Sequence, residues 1–125
     1  MVVEEVLVTQ LNTITVLNKK VYPLNAPENT VAPYLVYLQS GGREYEGLNE
    51  YTGTMNSSYE LNILHSTYKQ MKEVSALVIQ KLKTLQGNSF GGILIQRLSF
   101  DEDSPELYEA EVDLYRKIIN INITY

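Results

Sequence analysis

VYPLNAPENTVAPYLVYLQ, Val21 to Gln39, decides how this chain is read. Pro23, Pro27 and Pro33 each fix φ near about −65° and push the preceding residue toward extended geometry, so no helix runs through the segment. The chain therefore enters extended, from a possible first strand, and leaves extended. After Pro33 the run Tyr34, Leu35, Val36, Tyr37, Leu38 is β-branched and aromatic, with apolar residues on both faces. Such a run suits a strand covered on both sides, or one covered by helices on one side and a neighbouring subunit on the other.

Upstream, Val3, Val6, Leu7, Leu11, Ile14 and Leu17 recur at spacings of three and four, which predicts one amphipathic helix from Val3 to Leu17. The β-branched residues Thr13, Ile14, Thr15 and Val16 argue against it, since LNTITVL also alternates like a strand. Glu4 and Glu5 at the start and Lys19 and Lys20 at the end complement a helix dipole and favour the helix, with Asn18 as its stop. Downstream, SGGREYEGLNEYTGT, Ser40 to Thr54, carries glycines at 41, 42, 47 and 53. It is too long for a tight hairpin and reads as a projecting loop over 40–54 of a single domain spanning 1–125. Tyr45, Leu48 and Tyr51 among its charges mark a segment that packs once partnered.

A strand from Asn56 to His65 follows, with Tyr59, Leu61, Ile63 and His65 on one face and Glu60, Asn62 and Leu64 on the other. Thr67 and Gln70 make a capping box, and Gly87 with Asn88 closes the helix it opens. Met71, Val74, Ser75, Val78, Leu82 and Leu85 form that helix's buried stripe, widened by Leu77 and Ile79. Gly91 and Gly92 introduce a strand from Ile93 to Phe100. The chain ends in a strand with Tyr115, Ile119, Ile121, Ile123 and Tyr125 on one face and Ile118, Asn120, Asn122 and Thr124 on the other. The expected fold is α+β, an antiparallel sheet of about four strands packed against two helices.

With 125 residues the chain has room for one core, and 44% hydrophobic content is ordinary for a folded domain. A net charge of −5 argues against a protein that clasps nucleic acid, because phosphate binding is driven by clustered Lys and Arg. No cysteine is present, so disulfides, thiolate metal sites and thiol nucleophiles are excluded. No apolar run approaches the ~20 residues of a membrane span, and Glu4 and Glu5 stand where a signal peptide has a basic region.

His65, the sole histidine, has no acidic or nucleophilic partner nearby in sequence and reads as structural. Asp101, Asp103 and Glu106 lack the spacing of a calcium loop, because the twelfth position from Asp101 is Val112. No GxSxG, phosphate loop or HExxH motif occurs, so neither catalytic residues nor a cofactor or metal is expected. One asymmetry stands out: the second helix carries four lysines and one glutamate, whereas 101–113 carries seven acids and no base. Opposed patches of this kind invite head-to-tail association, which closes into a ring when the rotation allows.

VYPLNAPENTVAPYLVY resembles the signature of the small phage tail completion and tail terminator proteins, a "VYP…AP…PY-VY" segment that follows a helix. The likeness continues through STYKQMKEVSALV as the central helix and ends on LYRKIININITY, similar to that family's closing "LYR…I.F.I.Y" strand. It covers about residues 2 to 125, and its specificity lies in the order and spacing of short motifs. Asn120 and Ile121 depart from the family, where an acidic residue and an aromatic are common. The resemblance implies a non-enzymatic virion protein at the head-proximal end of a tail. There a hexameric ring of copies would stop tube polymerisation and meet the tail tube protein on one side and a head connector on the other. DNA would pass through the lumen without sequence-specific binding, and neither a membrane nor a location outside the virion or the host cytoplasm is implied. Within that reading Arg43, Glu44, Tyr45, Glu46 and Tyr51 of the long loop, with Asp101, Glu102 and Asp103, are the expected ring or tube contacts. A non-viral small-ligand-binding or regulatory α+β module is the alternative.

Overall fold

The computed structural model describes residues 3–27, 30–46, 51–101 and 105–125, with the main chain alone for 42–46 and 51–54. Helix α1 spans Val3–Leu11 and a 3-10 turn spans Thr15–Leu17. The strands are β1 Val21–Pro23, β2 Tyr34–Glu46, β3 Tyr51–His65, β4 Ser89–Phe90, β5 Ile93–Leu94, β6 Arg97–Phe100, β7 Glu106–Glu109 and β8 Leu114–Thr124, with helix α2 over Tyr68–Lys83. The main sheet has six strands rather than about four, in the order β1-β2-β3-β8-β6, with β7 also on β8. It is antiparallel except for β1, which lies parallel to β2. Both helices cover one face, so the architecture is α+β in two layers.

The two extra strands come from segments whose sequences carry weak strand signals. Val21–Pro23 is three residues long, and its proline sits at the sheet edge, where a missing N–H costs nothing. The acidic stretch after Pro105 reads from composition as a solvated arm. Its Glu106–Glu109 part instead pairs with Leu114–Lys117, because the β8 edge is otherwise bare there.

α1 stops at Leu11, earlier than the apolar spacing predicts. Thr13 Oγ1 donates to the Gln10 carbonyl at 2.6 Å, and the β-branched run that follows tightens into the 3-10 turn, ending on Asn18 at φ 48°. The stripe nonetheless holds: Val3, Val6, Leu7, Leu11, Ile14 and Leu17 are all buried. In α2 the stripe Met71, Val74, Ser75, Val78, Leu82 and Leu85 is buried as expected, but Leu77 is exposed. The Thr67 hydroxyl accepts from the Gln70 N–H at 3.3 Å, the expected cap. Thr67→Ala is expected to lower stability by about 1 kcal/mol, read as a shifted urea midpoint at unchanged slope.

The segment after α2 differs most from expectation. Gly91 and Gly92, at φ 55° and 85°, turn β4 into β5 as a two-residue hairpin with positive φ at both positions. Ile95 then bonds back to the helix end, its N–H to the Asn88 carbonyl at 3.0 Å and its carbonyl to the Gly87 N–H at 2.7 Å. Of the expected Ile93–Phe100 strand, Arg97–Phe100 joins the main sheet, with the Gln96 N–H donating to the Thr124 carbonyl at 2.8 Å just before it.

Where the 40–54 segment is described, over 40–46 and 51–54, it is strand and not loop. β2 runs through Glu46 and β3 begins at Tyr51, paired as a long hairpin with register shifts at Gln39/Gly41 and Glu44/Glu46. The sheet's three-stranded part ends where Met55 and Tyr125 exchange backbone hydrogen bonds of 2.7 and 2.9 Å. Beyond that point the hairpin projects as a two-stranded ribbon.

Candidate interaction surfaces

The sheet has two unlike faces. On the helix side lie Leu35, Tyr37, Tyr59, Leu61, Ile63, Ile119, Ile121 and Ile123, all buried in one core with α1 and α2. Burial, and then the Glu4 charge, raise the Tyr37 phenol, and the neighbouring Tyr59 phenol is pushed up to about 12 by the same two causes. Among the described residues the other face carries no helix. Its lower part is closed by the returning proline loop and the β7–β8 turn, since Asn25, Ala26, Pro27, Thr30 and Ala32 line one hollow with Tyr34, Val112 and Leu114. There Asn62 is 2% exposed, its Oδ1 accepting from Arg116 Nη1 at 2.9 Å and its Nδ2 donating to Glu60 at 3.1 Å. Higher up the face is a ladder of uncharged polar groups, Ser58 donating to Asn122 and Asn56 to Thr124.

Most of the expected interface residues fall on the hairpin ribbon. Arg43 and Glu44 pair across from Asn56 and Met55, and Glu46 from Tyr51, while Tyr45 lies on β2 between them. Asp101 is not brought to them: it follows β6, which β8 separates from the ribbon's β3, and accepts from Asn122 Nδ2 at 3.3 Å. Glu102 and Asp103 lie outside the described residues.

The opposed charge patches also resolve differently. Lys72 Nζ of α2 sits 3.0 Å from Glu106 Oε2 of β7, and Lys117 Nζ is 3.9 Å from the same oxygen. Part of the helix's positive charge and part of the acidic stretch thus face each other within one copy, rather than both awaiting a neighbour. The hydrogen bond from Lys72 holds the Glu106 carboxyl below its ordinary range, with Tyr68 and the Lys117 charge acting the same way.

Around this pair the fold assembles an aromatic cleft that composition alone does not signal. Tyr115 of β8 packs against Tyr108 of β7 at a tilt of 50°, with centroids 4.9 Å apart, and meets Tyr68 at the start of α2 edge-on at 5.9 Å. The phenols are tied: Tyr68 donates to Glu106 at 3.1 Å and Tyr108 donates to Asp113. Lys72 Nζ lies 5.4 Å from the Tyr68 ring centroid. The three tyrosines, with Glu106 and Leu107, line an open hollow of about 180 Å³. The available sequence signal was Tyr108, an aromatic inside an acidic stretch.

His65 closes β3 just before α2, buried, with Nδ1 accepting from the Ser66 N–H at 2.8 Å. Burial lowers its pKa below 6.5, opposed by the charge of Glu73. The folded protein therefore binds fewer protons than the unfolded chain once pH falls below 6.5. The imidazole's contribution to stability is complete above that value and shrinks as pH drops toward the folded pKa. His65→Gln is expected to flatten the fall in urea midpoint between pH 7.5 and pH 5.5; an unchanged slope would remove His65 as its source.

Among the described residues no three His, Asp or Glu side chains gather into a metal site, and no helix is long and apolar enough to cross a membrane. No protein-family model and no curated protein matches the chain. Its shape does have a counterpart. A chain in the virion of a native gene transfer agent particle shares this fold, with a TM-score of 0.68 over 94% of this chain and 90% of that one. Sequence identity is 11%, so the fold is preserved where the residues are not. The gene transfer agent chain has almost the same extent, so the match takes in the whole two-layer sheet and not a shared motif.

Proposed function

We propose that this chain is a structural subunit of a phage-like virion, and within it a tail terminator that caps the head-proximal end of the tail tube as a ring, hexameric by the family resemblance, and joins tail to head. The observation that carries the reading is the end-to-end fold match to a chain of a gene transfer agent virion. The order of motifs from Val21–Tyr37 to Leu114–Tyr125 supports the finer assignment. The chain's surface is compatible with it: a net charge of −5 disfavours adhesion to passing DNA, and the hairpin ribbon offers a projecting contact element.

The test is negative-stain imaging of the purified protein mixed with tail tubes from the phage or prophage that encodes it. The expected result is a ring at one end of each tube and tubes of uniform length. Tubes that stay bare, or that carry the protein along their sides, would sink the terminator assignment.

A further inference from the structure

We propose that neighbouring copies join head to tail, with the Glu111-Val112-Asp113 tip of the β7–β8 turn in one copy entering the groove between Thr13–Thr15 and α2 in the next. This rests on the ring reading above and names the surfaces that would build the ring.

The groove is an apolar surface left open on the helical layer. Thr13, Ile14 and Thr15 line one wall, and Leu77, Gln80, Lys81 and Thr84 the other, around an open space of about 400 Å³. Leu77 keeps the spacing of the buried stripe of α2, yet it is 45% exposed, and Val16, next after Thr15, is 42% exposed. The border of the groove is basic. Lys81 lines it, and Lys83 is exposed two residues further on. Among the described residues neither lysine has a carboxylate within ion-pair distance.

The tip carries the complement. Val112 is 58% exposed, with Glu111 and Asp113 exposed on either side of it in sequence. Other acids of the same stretch are neutralised within the copy, Glu106 by Lys72 and Glu109 by Arg116 Nε at 2.7 Å. Glu111 and Asp113 have no cation within that range among the described residues. The charge that stays unpaired on the end of α2 is therefore opposite in sign to the charge that stays unpaired on the turn, which favours their meeting across an interface.

The tip is also held in shape. The Val112 N–H donates to the Glu109 carbonyl at 3.3 Å, and the Tyr108 phenol donates to Asp113. Val112 and Leu114 border the hollow under the proline loop, which supports the turn from one side. A turn already fixed in this way loses little conformational freedom on docking.

One copy cannot make the contact with itself. Tyr68, at the start of α2, meets Tyr115 beside the turn, and Leu77 lies nine residues further along the helix, roughly 13 Å at about 1.5 Å per residue. The two patches are unlike, so the contact between copies is heterologous and makes a ring when the rotation closes.

The absence of cysteine makes the contact directly testable. A chain carrying both Leu77→Cys and Val112→Cys, oxidised on tail tubes or at high concentration, should give a ladder of covalent oligomers ending at the closed ring, while each single variant stays monomeric. The intramolecular separation exceeds the ~7 Å limit of a disulfide. Lys81→Glu and Glu111→Lys should each weaken self-association by about tenfold or more in sedimentation, and the chain carrying both should recover most of it, because the swapped charges attract again. Dimers from a single cysteine variant would mean that like patches meet, and would overturn the proposal. A Glu111→Lys defect that Lys81→Glu does not repair would place Glu111 against a different virion protein and overturn it as well. Rings of the wild-type chain in the microscope, with no ladder and no effect of either charge reversal, would overturn this contact and leave the ring standing. A wild-type chain that never assembles, alone or on tubes, would remove both.

Discussion

Leu61→Ala is expected to lower unfolding free energy by about 3 kcal/mol, the largest single-residue effect in this fold. Leu61 is fully buried at the centre of β3, between Tyr37 on β2 and Ile119 on β8, with the core side chains of α2 above it. β3 is the strand through which the two halves of the sheet are connected, so the void has neighbours on both sides and little freedom to collapse. For a domain whose total stability is on the order of 5–15 kcal/mol, the melting temperature should drop by about 10 °C. Leu77→Ala is the control. Leu77 falls within the helical pattern that marks the core but is exposed, so its loss should shift stability by less than about 0.5 kcal/mol. Equal effects for the two leucines, measured by urea titration, would mean that the packing of α2 is not the one described.

That pair of leucines shows where the sequence is legible. Period-3.6 and period-2 apolar patterns locate the buried stripe of both helices and the two faces of β3 and β8, because burial is set by which side chains share a face. Helix ends and short strands follow other rules. The end of α1 is set by Thr13 and the β-branched run after it, competing locally with the backbone, and the course of 93–95 by the β4–β5 pairing and the hydrogen bonds of Ile95 to Gly87 and Asn88. β1 and β7 are too short to carry a pattern and exist because the edges of β2 and β8 offer unpaired groups. The aromatic cleft was illegible for a further reason. Tyr68, Tyr108 and Tyr115 belong to three elements, and only the β7–β8 register and the entry into α2 bring them together.

The hairpin ribbon is where the largest functional effect is expected. Deleting residues 43–51 should leave a folded chain that no longer completes tails. Among the described residues, every member of the hydrophobic core lies outside the deletion. Gly42 pairs with Ser57, so the shortened connection of residues 52–56 falls within the usual length of a hairpin loop. The cost to stability is small because a two-stranded ribbon with no third strand and no helix on it is marginal in water and adds little to the fold that carries it. The same fact is the argument for function. Such a ribbon gains its packing only against something else, and its sequence, REYEGLNEY over 43–51, supplies tyrosines and charges suited to a surface that is wet until it is partnered. Circular dichroism and a melting temperature within a few degrees of wild type would establish that the variant is folded. Complementation of a phage lacking the gene should then yield heads without tails and tubes of uneven length. Infectious particles at wild-type titre from the folded variant would show that the ribbon makes no essential contact and would transfer the burden of assembly to the rest of the surface.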